Sequence, residues 1–278
     1  MRQISNISEL RKHLAGETSV AFVPTMGNLH EGHLDLVRCA SEHGKCVVVS
    51  VFVNPLQFGP SEDFDKYPRT LAADLAKLKE LANIVFVPSV SEMYPQQQTV
   101  YIEPPPISNE LCGEIRPGHF RGMATVVLKL LNIVQPQVAI FGKKDYQQLY
   151  LIRQMVEQMN MPIQVIGGET VRASDGLALS SRNQYLSSTE RNEAVFLYQV
   201  LKTIQHSIQS GERDMAKLES EASSTLAKRG WLVEYVSVRN RETLNLPDIA
   251  DTKLVALAAA RLGSTRLIDN LEIEIMNF

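Results

Sequence analysis

The sequence predicts an α/β protein, with a parallel-sheet N-terminal domain over 1–171 and a smaller α+β C-terminal domain over 172–278. Three observations carry that prediction. Strand-like and helix-period runs alternate through the first part of the chain. Some of the strand-like runs are apolar throughout, as in KCVVVSVFV (45–53), the pattern of a strand covered on both faces. Beyond residue 171 the order changes to two helical stretches and then a cluster of strand-like runs. Parallel strands need crossover connections, so repeated β-α-β order implies a mainly parallel sheet flanked by helices.

The elements follow in order. Ile4, Ile7, Leu10 and Leu14 fit an amphipathic N-terminal helix, and MRQISNISELRKHL lacks the apolar run of a secretory signal. SVAFVP (19–24) reads as a strand. A helix over 30–43 follows, on Leu34, Leu36, Val37 and Ala40. After the strand at 45–53, Leu71, Leu75, Leu78 and Leu81 set a helix over 70–82, and IVFVP (84–88) and TVYIE (99–103) read as strands. A rigid loop at 103–106, a helix over 123–134 ended near Pro136, a strand QVAIF (137–141), a helix over 146–159 and a strand PIQVIG (162–167) complete the series. The polar segment VRASDGLALSSRNQYLS precedes helices over 188–209 and 213–229. Strands WLVEYVSV (231–238), KLVALAAA (253–260) and TRLIDNLEI (265–273) come last.

With 278 residues, 44% hydrophobic and 21% charged, the chain can bury a sizeable core. A net charge of -3 argues against a nucleic-acid partner, and no apolar run near 18 residues predicts a membrane span. Cys39, Cys46 and Cys112 form no C-x-x-C pair, so reduced thiols in a cytoplasmic protein are expected instead of disulfides or zinc.

The most informative segment is VPTMGNLHEGH (23–33), which leaves the first long strand and opens a crossover helix. Ligands of open α/β sheets bind at the carboxyl ends of strands, and helix N-termini favour phosphate. Gly27 and Gly32 allow close backbone approach. The Gly27-x4-Gly32 spacing matches a P-loop, but His33 and Leu34 stand where Lys and Ser/Thr are needed, and G-x-G-x-x-G is absent. His30 and His33 lie three apart, on one side of a helix start. Two imidazoles there can donate to the phosphates of ATP and stabilise charge during in-line displacement at the α-phosphate. A zinc site would need a further ligand, and H-E-x-x-H spacing is absent.

His-x-Gly-His is similar to the signature of the HIGH-type nucleotidyltransferase superfamily. Four more runs narrow the resemblance: SVFVNPLQFGPSEDFDKYPRT (50–70), RPGHFRGMATVV (116–127), FGKKDYQQL (141–149) and DGLALSSRN (175–183). With PTMGNLHEGH they resemble the pantothenate synthetase family, in its order and over essentially the whole chain. The resemblance implies a Rossmann-like N-terminal domain, a homodimer and a two-step ligase requiring Mg2+. Pantoate and ATP would form pantoyl adenylate and pyrophosphate. The amine of β-alanine would then give pantothenate and AMP.

Carried onto this sequence, the resemblance implies ATP contacts at Pro24, Met26, Gly27, Asn28, Leu29, His30, Glu31, Gly32 and His33. It adds Gly142, Lys143, Lys144 and Asp145, then Val171 at adenine, then Leu179, Ser180, Ser181 and Arg182. His30, His33, Lys144 and Arg182 are the expected catalytic residues, and Asn54, Gln57 and Gln148 the expected substrate-binding ones. Physically, Lys144 offsets charge as pyrophosphate departs, and Arg182 makes bidentate phosphate contacts beside two serine hydroxyls. Amides such as Asn54 and Gln57 suit a hydroxyl or carboxylate, although Gln57 could also bond its own turn. Asp145 could bond ribose or cap its helix. Lys143 departs from the family, which usually has Glu there, and could be a solvated residue. His119 and Arg121 could meet a substrate carboxylate or shape the cavity wall, while His13, His43 and His206 lie outside any motif.

No acyl-enzyme is expected, because no serine lies in G-x-S-x-G and no cysteine in a Cys-His motif. A related adenylyltransferase would instead release a stable dinucleotide. A non-catalytic nucleotide-binding regulator is disfavoured by the joint presence of both histidines, Lys144 and Arg182. Aminoacyl-tRNA synthesis lacks its basic surface.

Overall fold

The apolar runs of the first half become one parallel sheet in the computed structural model, which describes residues 1–60 and 62–275. Its strands are β1 (Arg2–Ile4), β2 (Val20–Thr25), β3 (Cys46–Val51), β4 (Ile84–Phe86), β5 (Val138–Gly142) and β6 (Gln164–Gly168), in the order β1-β4-β3-β2-β5-β6. The helices are α1 (Ile7–Leu14), α2 (Glu31–His43), α3 (Leu71–Leu78), the single turns α4 (Val90–Met93) and α5 (Cys112–Ile115), α6 (His119–Val134), α7 (Tyr146–Gln158), α8 (Ser188–Ala194), α9 (Phe196–Gln209) and α10 (Met215–Lys228). Among the described residues, no helix is long and apolar enough to cross a membrane.

Alternation along β2 explains the layers. Val20 and Phe22 join the core that includes Leu10 of α1, Leu130 of α6 and Ile152 of α7. Ala21 and Val23 join the opposite core, with Leu36 and Val37 of α2 and Leu78 of α3. A strand that buries both faces has no polar positions to spare, hence the continuous apolar runs. The second sheet is antiparallel, β7 (Leu232–Asn240), β8 (Lys253–Leu262) and β9 (Thr265–Glu274), and packs its own core with α9 and α10. This is the predicted class, a helix-covered parallel sheet followed by a smaller α+β part.

Some elements differ from expectation. Ile4 lies in strand β1, paired with β4, and not on the N-terminal helix. That strand has three residues of which only Ile4 is buried, too few to show a period. TVYIE forms no strand. Val100 is 77% exposed, and the Ile102 N–H donates to Thr125 Oγ1 instead of a ladder. β propensity without a partner strand does not make a strand. α6 starts at His119, before the expected 123, because Gly118 adopts φ 80 and turns the chain directly into the helix. The stretch 188–209 breaks at Val195 into α8 and α9, and 70–82 shortens to α3.

Two features position the site. β3 and β4 build the sheet to one side of β2, whereas β5 and β6 build it to the other, so a crevice opens between the carboxyl ends of β2 and β5. The second sheet also docks there. Asn270 of β9 donates its Nδ2 hydrogens to the carbonyls of Lys143 and Lys144, at 2.9 and 2.8 Å, and Glu272 accepts from Tyr146 Oη at 2.8 Å.

Candidate functional site

The crevice holds a cavity of about 210 Å3. Its walls come from the end of β2 (Pro24, Thr25, Met26), the start of α2 (His30, Gly32, His33), the turn after β3 (Asn54, Gln57) and the turn after β5 (Gly142, Lys144, Asp145). Gln148 of α7, Thr170 and Val171 after β6, and Leu179, Ser180, Ser181 and Arg182 complete it.

The two histidines cap the helix they open. Nδ1 of His30 accepts from the Gly32 N–H at 3.2 Å, and Nδ1 of His33 accepts from the His30 N–H at 3.3 Å. A neutral imidazole that accepts at Nδ1 carries its proton on Nε2. Both rings line the cavity, 4.0 Å apart, so each brings an Nε2–H donor to it. Burial, then the charge of Lys144, pushes His30 down to about 4. Burial, then His30 and Lys144, pushes His33 down to about 3. Near neutral pH both are therefore uncharged hydrogen-bond donors.

A pH dependence of stability follows. His119 is also pushed down to about 4, by burial and then by Arg116. Above about 6.5 these imidazoles are neutral in both folded and unfolded chains. Below it the unfolded chain takes up protons that the folded one refuses, so stability falls with pH until the folded pKa values are reached. Each such group contributes a slope of at most about 1.4 kcal/mol per pH unit. The urea midpoint should drop between pH 7 and pH 5. A flat midpoint would mean that these rings protonate freely in the fold.

The loop before the histidines is held by a residue that the sequence does not advertise. Asp74 of α3 is fully buried. Its carboxylate accepts from the N–H groups of Asn28 (2.9 Å) and Leu29 (2.8 Å) and from Thr70 Oγ1 (3.1 Å). Gly27 and Asn28 stand at φ 81 and 50, the left-handed region that glycine adopts freely and asparagine tolerates. Asp74 thus claims two amides that a P-loop would turn toward phosphate. Gly27, Asn28 and Leu29 are not among the residues that line the cavity. Glu31 also lies outside it, solvent-exposed and paired with Arg38.

The Asn54–Gln57 turn is built for close packing. Any Cβ at Gly122 would sit 2.0 Å from the Leu56 carbonyl oxygen, so only glycine lets α6 lie against this turn. Asn54 lines the cavity but is buried, and the protein itself engages its amide. Its Nδ2 donates to Gln57 Oε1 (3.0 Å) and the Gly122 carbonyl (3.2 Å), while its Oδ1 accepts from Tyr94 Oη (2.8 Å) and the Leu56 N–H (3.3 Å). With its amide fully engaged, Asn54 holds Gln57 in place. Gln57 Nε2 meets Met26 Sδ at 3.4 Å, which leaves a further N–H for a ligand. His119 supports the same turn through Nδ1, which donates to the Gln57 carbonyl at 2.8 Å. Arg121 stacks on Tyr101 and pairs with Glu103, away from the cavity.

On the opposite wall, Lys144 and Asp145 face the cavity. Asp145 makes no capping hydrogen bond to α7, which removes the capping alternative. Lys143 turns away to Glu169 and Glu272, so its departure from Glu becomes an ion-pair link to β9. Ser181 Oγ donates to the Asn28 carbonyl (3.1 Å), tying this segment to the histidine loop, and Arg182 meets Asp63. The sequence reading did not single out the apolar wall. Met123, Val126, Val127 and Leu130 share one face of α6 at i, i+3, i+4, i+7 spacing and line the cavity with Phe52 and Tyr67. That spacing was legible, but it reads equally well as core.

No group of three or more His, Cys, Asp or Glu among the described residues could hold a metal ion, and the cavity wall offers only Asp145 and Glu169 as carboxylates. The donor set fits a cation carried mainly by a ligand's phosphates and water, as Mg2+ commonly is.

Comparison with known proteins identifies the family. The family model for pantoate-beta-alanine ligase matches residues 1–272. Pantothenate synthetases of Methylobacillus flagellatus and Nitrosospira multiformis are each 58% identical to the chain, over 98% of it and 98% of their own length. The crystal structure of pantothenate synthetase from Thermus thermophilus superposes with a TM-score of 0.93 at 43% identity, covering 99% of this chain and 100% of that one. A pantoate-beta-alanine ligase from Francisella tularensis, complexed with beta-gamma ATP and beta-alanine, superposes with a TM-score of 0.83 at 35% identity, over 98% and 97% of the two chains.

Proposed function

The chain belongs to the pantoate–β-alanine ligase family, and from that premise we propose how its own residues carry the ATP-dependent condensation of pantoate with β-alanine. One observation carries the assignment. Two neutral imidazole donors, a lysine and an arginine converge on one cavity with the Gln57 and Gln148 amides and an apolar wall.

Pantoate lies with its methyl groups on Met123, Val126 and Val127 and its polar end at Gln57 and Gln148. ATP lies along His30, His33, Lys144 and the Ser180–Arg182 segment, with Val171 and Leu179 at the base and Asp145 at the ribose. A pantoate carboxylate oxygen attacks the α-phosphorus, and the bond to the bridging oxygen breaks, its electron pair leaving with pyrophosphate. Nε2–H of His30 and His33 and the ammonium of Lys144 stabilise the charge that builds on the phosphate oxygens, without proton transfer. The amine of β-alanine then attacks the acyl carbon, AMP departs and the amine gives up its proton. Asp145, a carboxylate of the cavity wall, would help hold Mg2+ on the phosphates through water, and the ion would neutralise part of their charge. Catalysis rests on positioning and electrostatics.

The reading extends to a domain division near residue 171, with the second part closing over ATP, and to a homodimer in the cytoplasm. The family resemblance supports the dimer, and the unpaired cysteines support a reducing compartment. Pyrophosphate exchange into ATP, run with pantoate and without β-alanine, tests the chemistry. Pantoate-dependent exchange is expected, with AMP and pantothenate formed once β-alanine is added. Absent exchange in a protein that binds ATP would reopen the assignment of these residues.

A further inference from the structure

The loop between the Gln57 turn and α3 carries two adjacent carboxylates, and each clasps a different arginine. Glu62 is bidentate with Arg116, at 2.8 Å to Nε and 2.6 Å to Nη2. Arg116 in turn lies 3.0 Å from His119 Nε2, so this pair belongs to the support of the Gln57 turn. Asp63 faces Arg182. Nε donates to Oδ2 at 3.3 Å and Nη2 to Oδ1 at 3.1 Å, with 32% and 27% of the two side chains exposed. Two parallel N–H···O bonds on one guanidinium edge are also the way arginine grips a phosphate. One edge cannot serve both anions at once. Lys144, the neighbouring cation, has no carboxylate within ion-pair distance among the described residues, so the loop neutralises the arginine selectively.

We propose that Asp63 is a resident competitor for the phosphate seat on Arg182 and thereby sets the affinity of the site for triphosphate and for pyrophosphate. This rests on the reading that Arg182 binds phosphate. An incoming triphosphate, with its greater charge, displaces the carboxylate. When pyrophosphate leaves, Asp63 reclaims the arginine, so departure does not strand a bare guanidinium in a half-buried wall. Glu62 keeps the loop tethered to Arg116 throughout. A carboxylate that merely orients Arg182 toward phosphate would have the opposite effect on affinity.

The test uses the full chain, with Asp63→Asn, Arg182→Ala and the double variant. The readouts are the Kd of a β,γ-nonhydrolysable ATP analogue by calorimetry and inhibition by added pyrophosphate in the forward assay. Asp63→Asn should tighten both by about three- to tenfold, the scale of a partly exposed ion pair. Arg182→Ala should weaken both, and in its background Asp63→Asn should have no further effect. Asp63→Ser, which also removes the charge, must move the constants the same way. Unchanged or weaker binding in Asp63→Asn, with Arg182→Ala still weakening it, would overturn the competition and leave the phosphate reading intact. A gain that persists in full without Arg182 would reduce the effect to general charge removal and overturn the proposal. No effect of Arg182→Ala would overturn both.

Discussion

Lys144→Ala should lower pantoate-dependent pyrophosphate exchange by about 10²–10³-fold, the usual cost of removing one preorganised donor to developing charge. Stability should stay within about 0.5 kcal/mol of the parent, as for substitutions that break no packing or buried network. The reason lies in how the turn is held. Asn270 grips the carbonyls of Lys143 and Lys144 by their backbone, and Lys143, not Lys144, forms the ion pairs. The turn survives without the Lys144 ammonium, while the phosphates lose their point charge. Lys144→Arg should recover only part of the rate, since a planar fork does not place its charge where an ammonium does. Parent-like exchange in Lys144→Ala would remove this residue from the mechanism.

His33→Ala should lose a comparable 10²–10³-fold in exchange, as an estimate of about the same order, and about 1 kcal/mol of stability as well. The two losses belong to different nitrogens. Nδ1 accepts the His30 N–H and completes the cap of α2, and in the proposed mechanism Nε2 is the donor to the ligand. The conservative variants should separate them. His33→Gln reaches the position of Nε2 with an N–H and should recover rate more than stability. His33→Asn offers an oxygen near the position of Nδ1 and should recover stability more than rate. Exchange rates beside urea unfolding decide the matter. If both variants move both readouts in parallel, the division of labour between the nitrogens is wrong.

The parallel sheet was legible because both faces of its strands are covered, which forces continuous apolar runs such as 45–53. The three-residue β1 was not, since a strand that buries one side chain has no pattern. In the site, the histidine pair and Lys144 stood out as chemistry-bearing residues at strand-to-helix turns, and Ser180–Arg182 as a hydroxyl and guanidinium cluster in a polar loop. Asp74 did not. Its spacing to Leu71 and Leu78 puts it on the apolar face of α3, but only the fold shows that it is buried against the amides of the histidine loop. Lys143 and Lys144 are neighbours of one residue type with opposite fates. Spacing alone could not say which would line the cavity and which would bind Glu272.

Along its own length, then, the chain settles the α/β class, the helix start that bears His30 and His33, and the motifs whose family resemblance implies the reaction. These depend on local periodicity and on residue types at short spacing, which sequence order preserves. The tertiary structure alone decides which ring nitrogens are free to donate and that both imidazoles are neutral. It alone diverts two loop amides to Asp74, turns Asn54 into the support of Gln57 and seats Asp63 on Arg182. Those outcomes arise from burial and from hydrogen bonds between partners such as Asn28 and Asp74, 46 residues apart, or Asp63 and Arg182, 119 apart. Contacts at that range exist only once the strands have paired and the helices have packed, so no local pattern can encode them.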